Sequence, residues 1–444
     1  MTSAQDRIEG ELHRLGLSSE LSQPLIGLVE AVDRALLETA HGEPSPTHVD
    51  APVVTEPVTD GSGWVWRVPN PRPQGAVDGP LRGWRFAVKD LIAVAGRPIG
   101  AGSLACFDAP LQTRDAPVVT SLHDAGATLV GTTKLHEFAF GTTGITLAGG
   151  TPDNPRAPGC IPGGSSSGSA VVVATGEADL ALGTDTGGSV RIPAALCGTV
   201  GFKPAFGSLS TAGVFALAPS LDHVGFLVVD AERLVRPARA LGLAEGGPPT
   251  NRPRLGWAKG ALDLVDAPVR GAIEQTLEAL QRAGATIVEV AWPLGEVVFA
   301  ATTAIMFVEA AFGHRARLAT RSALYGADVR ARLIQGAAVD WASYLQARLV
   351  REALRHRCTE LLHGLDAVLT PTVPIQAPEV AAALADPALG ASLVTFTRLA
   401  DLTGLPAVSL PLPGYTKPIG LQLEAATDAT ALRTARGVAQ ILAS

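Results

Sequence analysis

The 444 residues are 47% hydrophobic and 17% charged, a balance that fills a large interior and excludes disordered and fibrous chains. The formal charge of −7 comes from 42 acidic and 35 basic residues spread along the chain, with no basic block to track a phosphate backbone, which argues against nucleic acid as a direct ligand. No run approaches the roughly 18 consecutive apolar residues of a membrane span, and the N-terminal MTSAQDRIEGELHRLGL is charged and amphipathic where a secretory signal is apolar, so a cytoplasmic protein is expected.

Between residues 6 and 39, Ile8, Leu12 and Leu15, then Leu25, Val29, Val32 and Leu36, recur at three or four residues, which predicts two amphipathic helices. A Pro-rich polar stretch from His41 to Pro80, interrupted by Trp64 and Trp66, reads as an irregular connection. Residues 1–60 are therefore assigned to N-terminal helices and a connection packed on a body of residues 61–444.

From Leu81 short β-like runs alternate with helical ones: RFAVKD, then PVVTSLHDAG leading into ATLVG, then SAVVVATGE leading into ADLALG. That alternation predicts parallel strands covered by helices. After the GGPPTNRPR loop (246–254), Asp266 and Pro268 open a helix carrying Val269, Ile273, Leu277 and Leu280, followed by ATIVEV. Residues 300–363 read as mainly helical with solvated Arg-rich faces, and DAVLTPTVP and GLPAVSLPLP resume short strands.

Four cysteines, Cys106, Cys160, Cys197 and Cys358, stand far apart without a CxxC pair or a nearby His, so they read as buried thiols and not as a metal set. Two segments, PGGSSSGSA (162–170) and LGTDTGGSVRIPAALCG (182–198), are rich in Gly and Ser, poor formers of both helix and strand. Such runs supply tight backbone geometry, in which several N–H groups point at one spot, either a phosphate or the oxyanion of acyl transfer. Neither segment matches GxxxxGK[ST] or GxGxxG, which disfavours the phosphate. Gly164 to Gly168 does satisfy GxSxG around Ser166, yet no later acid and His are singled out to complete a hydrolase elbow. Only five lysines occur, and Lys89 interrupts the apolar run FAVKD. The alternative for such a lysine is a stem packed along an edge strand with its head in water.

The order AVKD (87–90), GGSSSGSA (163–170) and GTDTGGSVRIPA (183–194) resembles the amidase signature family. KLHEFAFG (134–141), GFKPAFG (201–207), SLDHVG (220–225) and TGLPAVSLPLPG (403–414) follow the family in the same sequence, with coverage from Gly79 to Val229 and again from Asp366 to Leu423. The resemblance implies a single large α/β domain with a twisted central mixed sheet surrounded by helices. It implies a triad of Ser189 as nucleophile, Ser165 as proton relay after a cis Gly164–Ser165 peptide, and Lys89 as general base. It implies an oxyanion hole from the N–H groups of Thr186, Gly187, Gly188 and Ser189, supported by Ser166, Asp185 and Arg191. Ser167 stands where many members have glycine. His136 and His223 fall in family-like segments, but the mechanism uses no histidine, and they are read as satisfied core residues.

A lysine serves as base only when neutral, so Lys89 is expected in an enclosed pocket that disfavours its ammonium form. The resemblance implies hydrolysis of C–N bonds in small-molecule amides, with apolar or aryl amides, aryl carbamates and esters as test substrates. It implies no cofactor and no metal and accommodates a homodimer, while charge and hydropathy leave no nucleic acid and no membrane partner expected. Two alternatives stand beside it. One is the glutaminase subunit of a tRNA-dependent amidotransferase, against which residues 307–326 lack the SNLARxDG-like segment of such subunits. The other is a non-catalytic scaffold, against which the three triad residues are intact.

Overall fold

Eleven strands form one mixed sheet in the computed structural model, which describes residues 4–17, 23, 25–30, 61–72, 78–146, 148–244 and 246–444. In chain order they are β1 (Trp64–Arg67), β2 (Arg85–Lys89), β3 (Thr128–Thr133), β4 (Leu180–Asp185), β5 (Val200–Lys203), β6 (His223–Val228), β7 (Arg254–Ala258), β8 (Thr286–Val290), β9 (Ala367–Pro371), β10 (Ala407–Pro411) and β11 (Gly420–Glu424). Across the sheet the order is β1-β3-β2-β4-β6-β5-β10-β11-β9-β7-β8.

The parallel pairing expected from the alternation of strands and helices holds on the two flanks, where β2 lies between β3 and β4, and β7 between β8 and β9. The middle corrects it, because β4, β6, β5, β10, β11 and β9 pair antiparallel in turn. The reason is visible at β10 and β11. They are joined by residues 412–419, too short a link for the crossover helix that parallel neighbours need. A second correction concerns Trp64 and Trp66, which belong to the edge strand β1, antiparallel to β3, and not to an irregular connection.

The N-terminal helix Ala4–Leu15 buries Ile8, Leu12 and Leu15 in the same apolar cluster as Ile305 and Leu354 of the body. Residues 25–30 are helical and bury Leu25, Leu28 and Val29, while Val32 and Leu36 lie outside the described residues. Asp266 caps the Ala267–Arg282 helix by accepting the Val269 N–H at 2.9 Å, with proline in the first turn, as its sequence indicates. Residues 296–361 form the helices Glu296–Arg321, Ala327–Ala338 and Trp341–Leu361, which pack on one another. The first is apolar and long enough to cross a bilayer, but most of it is buried inside the protein. Among the arginines of these helices Arg351 is buried, which departs from the solvated reading.

Phe86, Leu182, Phe202 and Phe226 are fully buried along the sheet, each contributing about 1.5–3 kcal/mol through lost contact with water. This core holds β2 and β4 side by side, so that Lys89 and Asp185, the last residues of the two strands, emerge at neighbouring carboxyl ends. In sheets with parallel strands that edge is where sites form, because the chain must leave each strand there in a loop.

Candidate active site

Lys89 is fully buried at the end of β2. Its Nζ donates to Ser165 Oγ at 2.7 Å and to Thr184 Oγ1 at 2.9 Å, and among the described residues no carboxylate pairs with it. Burial pushes the amine down from its ordinary value to about 7, against the opposing pull of the Asp185 and Asp222 charges. The pocket therefore leaves a large neutral fraction near pH 7, the form that can accept a proton.

The GGSSSGS segment reaches this amine through the cis Gly164–Ser165 peptide and then enters the buried Ser167–Ala174 helix. Ser165 is fully buried, and its carbonyl accepts the His136 N–H at 3.1 Å. The Ser166 N–H donates to the Ser189 carbonyl at 3.1 Å, which ties the two Gly and Ser rich segments together. The Ser166 hydroxyl donates to the Thr184 carbonyl at 3.3 Å, so it braces backbone and does not join the Lys89 side-chain chain. Ser167 Oγ lies 3.5 Å from the Lys134 carbonyl, on the far side of the same turn.

After β4 the chain folds around the Asp185 carboxylate. Asp185 Oδ1 accepts the Gly188 N–H at 2.5 Å, and Oδ2 accepts the Val190 N–H at 3.1 Å and Arg191 Nε at 3.0 Å. Burial alone would raise this carboxyl; the charge and hydrogen bonds of Arg191, aided by Lys203, outweigh it and hold Asp185 well below the carboxylate range. Arg191 is itself saturated, donating also to Asp401 Oδ2 at 2.7 Å, Gln422 Oε1 at 2.8 Å and the Thr397 carbonyl at 2.9 Å. Gly188 has φ of 128°, and a Cβ there would run into the Thr397 hydroxyl, so the position requires glycine. The Thr186 hydroxyl donates to Asp222 Oδ1 at 2.7 Å, and Thr397 Oγ1 donates to the Gly187 carbonyl at 2.6 Å.

Lys89, Ser165 and the Ser189 turn are thus brought to one place, with Ser189 retaining 7% exposure while Lys89 and Ser165 have none. The expected set of four oxyanion donors is reduced, because the Gly188 N–H is taken up by Asp185. His136 and His223 are buried as expected: His136 Nε2 lies 3.2 Å from Asp328 Oδ2, and His223 Nδ1 lies 2.7 Å from the Leu221 carbonyl, but His223 Nε2 is buried without a hydrogen-bond partner, so only one of its ring nitrogens is satisfied. All four cysteines are buried and free. No group of three or more metal-ligating side chains occurs among the described residues.

Sequence reasoning missed Thr184, the second acceptor for Lys89, although it lies in the same GTDTGGS run. It also missed Asp222, Thr397, Asp401 and Gln422. These polar side chains are buried at 7% exposure or less, and a polar residue placed among apolar ones was the available signal.

A family model described as Amidase matches residues 68–242 and 244–429. The chain is 37% identical over 393 residues to a glutamyl-tRNA(Gln) amidotransferase subunit of Natronomonas pharaonis, covering 78% of this chain and 92% of that one. It is 38% identical over 374 residues to an amidase of Pseudomonas putida, covering 78% of each. Its structure is similar to the crystal structure of an amidase, with a TM-score of 0.79 and 32% identity, covering 94% of this chain and 96% of the other.

Proposed function

The chain belongs to the amidase signature family, and from that premise we propose that it hydrolyses a C–N bond through an acyl-enzyme on Ser189, with Ser165 as proton relay and Lys89 as general base. The observation that carries this reading is the 2.7 Å hydrogen bond between Lys89 Nζ and Ser165 Oγ, made by an amine that burial brings to about 7. Neutral Lys89 accepts the Ser165 proton as Ser165 accepts that of Ser189, and the Ser189 oxygen attacks the substrate carbonyl. The N–H groups of Thr186, Gly187 and Ser189 stabilise the oxyanion, while the Gly188 N–H keeps the turn closed on Asp185. Collapse of the intermediate breaks the C–N bond, and the proton held by Lys89 returns through Ser165 to the departing amine. Water, deprotonated along the same path, then releases the acid.

The substrates proposed are small amides with apolar or aryl groups, together with aryl carbamates and esters. An apolar neighbour of the turn supports this: a methyl group placed on Gly187 would lie 3.2 Å from Met306 Cε.

A second reading, the glutaminase component of an amidotransferase complex, is supported by the 37% identity to the relative from Natronomonas pharaonis. Release of aromatic amines from a panel of anilides and aryl carbamates tests the first reading. Turnover by the native protein that Ser189→Ala abolishes is the expected result. Silence on the panel with glutamine hydrolysis in the presence of partner proteins would favour the second.

A further inference from the structure

Two arginines flank the turn from Asp185 to Ser189, and their surroundings differ in charge. Arg191 is matched by two carboxylates, Asp185 at 3.0 Å and Asp401 at 2.7 Å. Arg398, half-buried, has none among the described residues. Its Nη1 donates to Thr303 Oγ1 at 2.8 Å and to the Phe299 carbonyl at 3.2 Å, and its Nε is buried without a partner. Asp401, which attracts it, is already held by Arg191. A second cation, Arg332, repels it, and Arg332 is tied to Asp328 at 3.3 Å. Withdrawing a guanidinium from water without a counter-charge is costly, and the cost is recovered when an anion arrives.

Position says where that anion comes from. Arg398 Cγ lies 4.0 Å from where a methyl group on Gly187 would sit, so the stem of the side chain runs along the proposed oxyanion turn. Arg398 also lines a cavity of about 260 Å³ walled by Val298, Phe299, Val394 and Leu264. Glu296, which also borders this cavity, pairs with Arg7 at 3.0 Å. Phe299 lies under the guanidinium, 4.2 Å from ring centre to Cζ, and gives it an apolar floor.

We propose that Arg398 receives a carboxylate on the substrate, so that the amides this protein takes combine an apolar or aryl body with one anionic group. The inference deepens the proposed function and relies on it only for placing the reaction at the Ser189 turn. Fork-shaped donation to a carboxylate is what a guanidinium with unused N–H groups provides.

The test separates binding from turnover. Calorimetry on Ser189→Ala protein compares 4-acetamidobenzoate with its neutral 4-methyl analogue, and the same pair is run on the Ser189→Ala protein carrying Arg398→Met or Arg398→Lys. The acid is expected to bind about ten- to a hundredfold more tightly, the range of a hydrogen bond to a charged group. That preference is expected to vanish with Arg398→Met and to survive in part with Arg398→Lys, which retains the charge if the methionine variant misfolds. Equal affinity for the two compounds, binding of neither, or a preference unchanged by Arg398→Met would overturn the subsite. Turnover of 4-acetamidobenzoate by the native protein reports separately on the catalytic reading, which fails if this anionic anilide is bound with the expected preference and yet is not hydrolysed.

Discussion

Lys89 and Ser165 meet at 2.7 Å in a pocket where neither side chain is exposed. The lysine is held by two hydroxyls, so its charge state is set mainly by desolvation, with the more distant acids opposing.

Removal of any triad member is expected to cost about 10³-fold or more in kcat/KM, since the nucleophile loses either itself or its path to a base. Ser189→Ala, Ser165→Ala and Lys89→Ala, assayed on one anilide with thermal melts as fold controls, check this. Activity of Ser189→Ala within tenfold of native would remove the proposed nucleophile.

The proposed base must be neutral, so kcat/KM is expected to rise with pH through about 7 and level off above it. Thr184→Val deletes an acceptor 2.9 Å from the amine. Because that acceptor favours the ammonium form, its loss is expected to lower the amine's pKa and shift the rising limb toward acid. A profile that falls through neutrality would contradict the assignment of Lys89.

Stability is expected to rise with pH as well. The folded protein holds Lys89 at about 7, below its unfolded value, so the penalty for burying the ammonium is full below pH 7 and fades as pH rises toward the unfolded pKa. Lys89→Met is expected to be inactive yet more stable, by on the order of 1 kcal/mol or more near pH 6. The gain should shrink by pH 10, as measured by urea unfolding at both values.

Arg191→Met strands the buried Asp185 and Asp401 carboxylates, and the expected loss is about 3–5 kcal/mol. Arg191→Lys restores a charge but not the planar fork that meets Asp185, Asp401, Gln422 and Thr397 together. It should therefore recover little of that stability in denaturant titrations.

Gly188→Ala adds a methyl group where φ is 128° and the Thr397 hydroxyl stands in the way. A destabilisation of about 1–3 kcal/mol is expected, together with loss of most activity as the Asp185 turn is displaced. Near-native turnover would mean the turn tolerates rearrangement.

Much of this was legible along the chain. Lys89 was conspicuous because an ammonium has no reason to interrupt an apolar strand, and the glycines of the GTDTGGS run announced a turn that side chains would obstruct. The antiparallel centre of the sheet was not legible, since local alternation cannot tell which distant strands β4 and β5 will meet. The partners of Arg191 were hidden for the same reason. Gln422 sits 231 positions away, and nothing local to Arg191 marks a residue so remote. Gly188 misled in another way, because its N–H could be counted as a donor but its use by Asp185 depends on the closed fold.

Those remote partners order events during synthesis. The groups proposed for chemistry have all been made once Ser189 is joined to the chain, but the arginine that closes their turn finds Thr397, Asp401 and Gln422 only 206 to 231 positions later. A nascent chain paused before those residues holds every reactive group and no finished turn. A chain cut short before Thr397 is therefore expected to carry every group of the proposed triad and to lack the activity proposed for it.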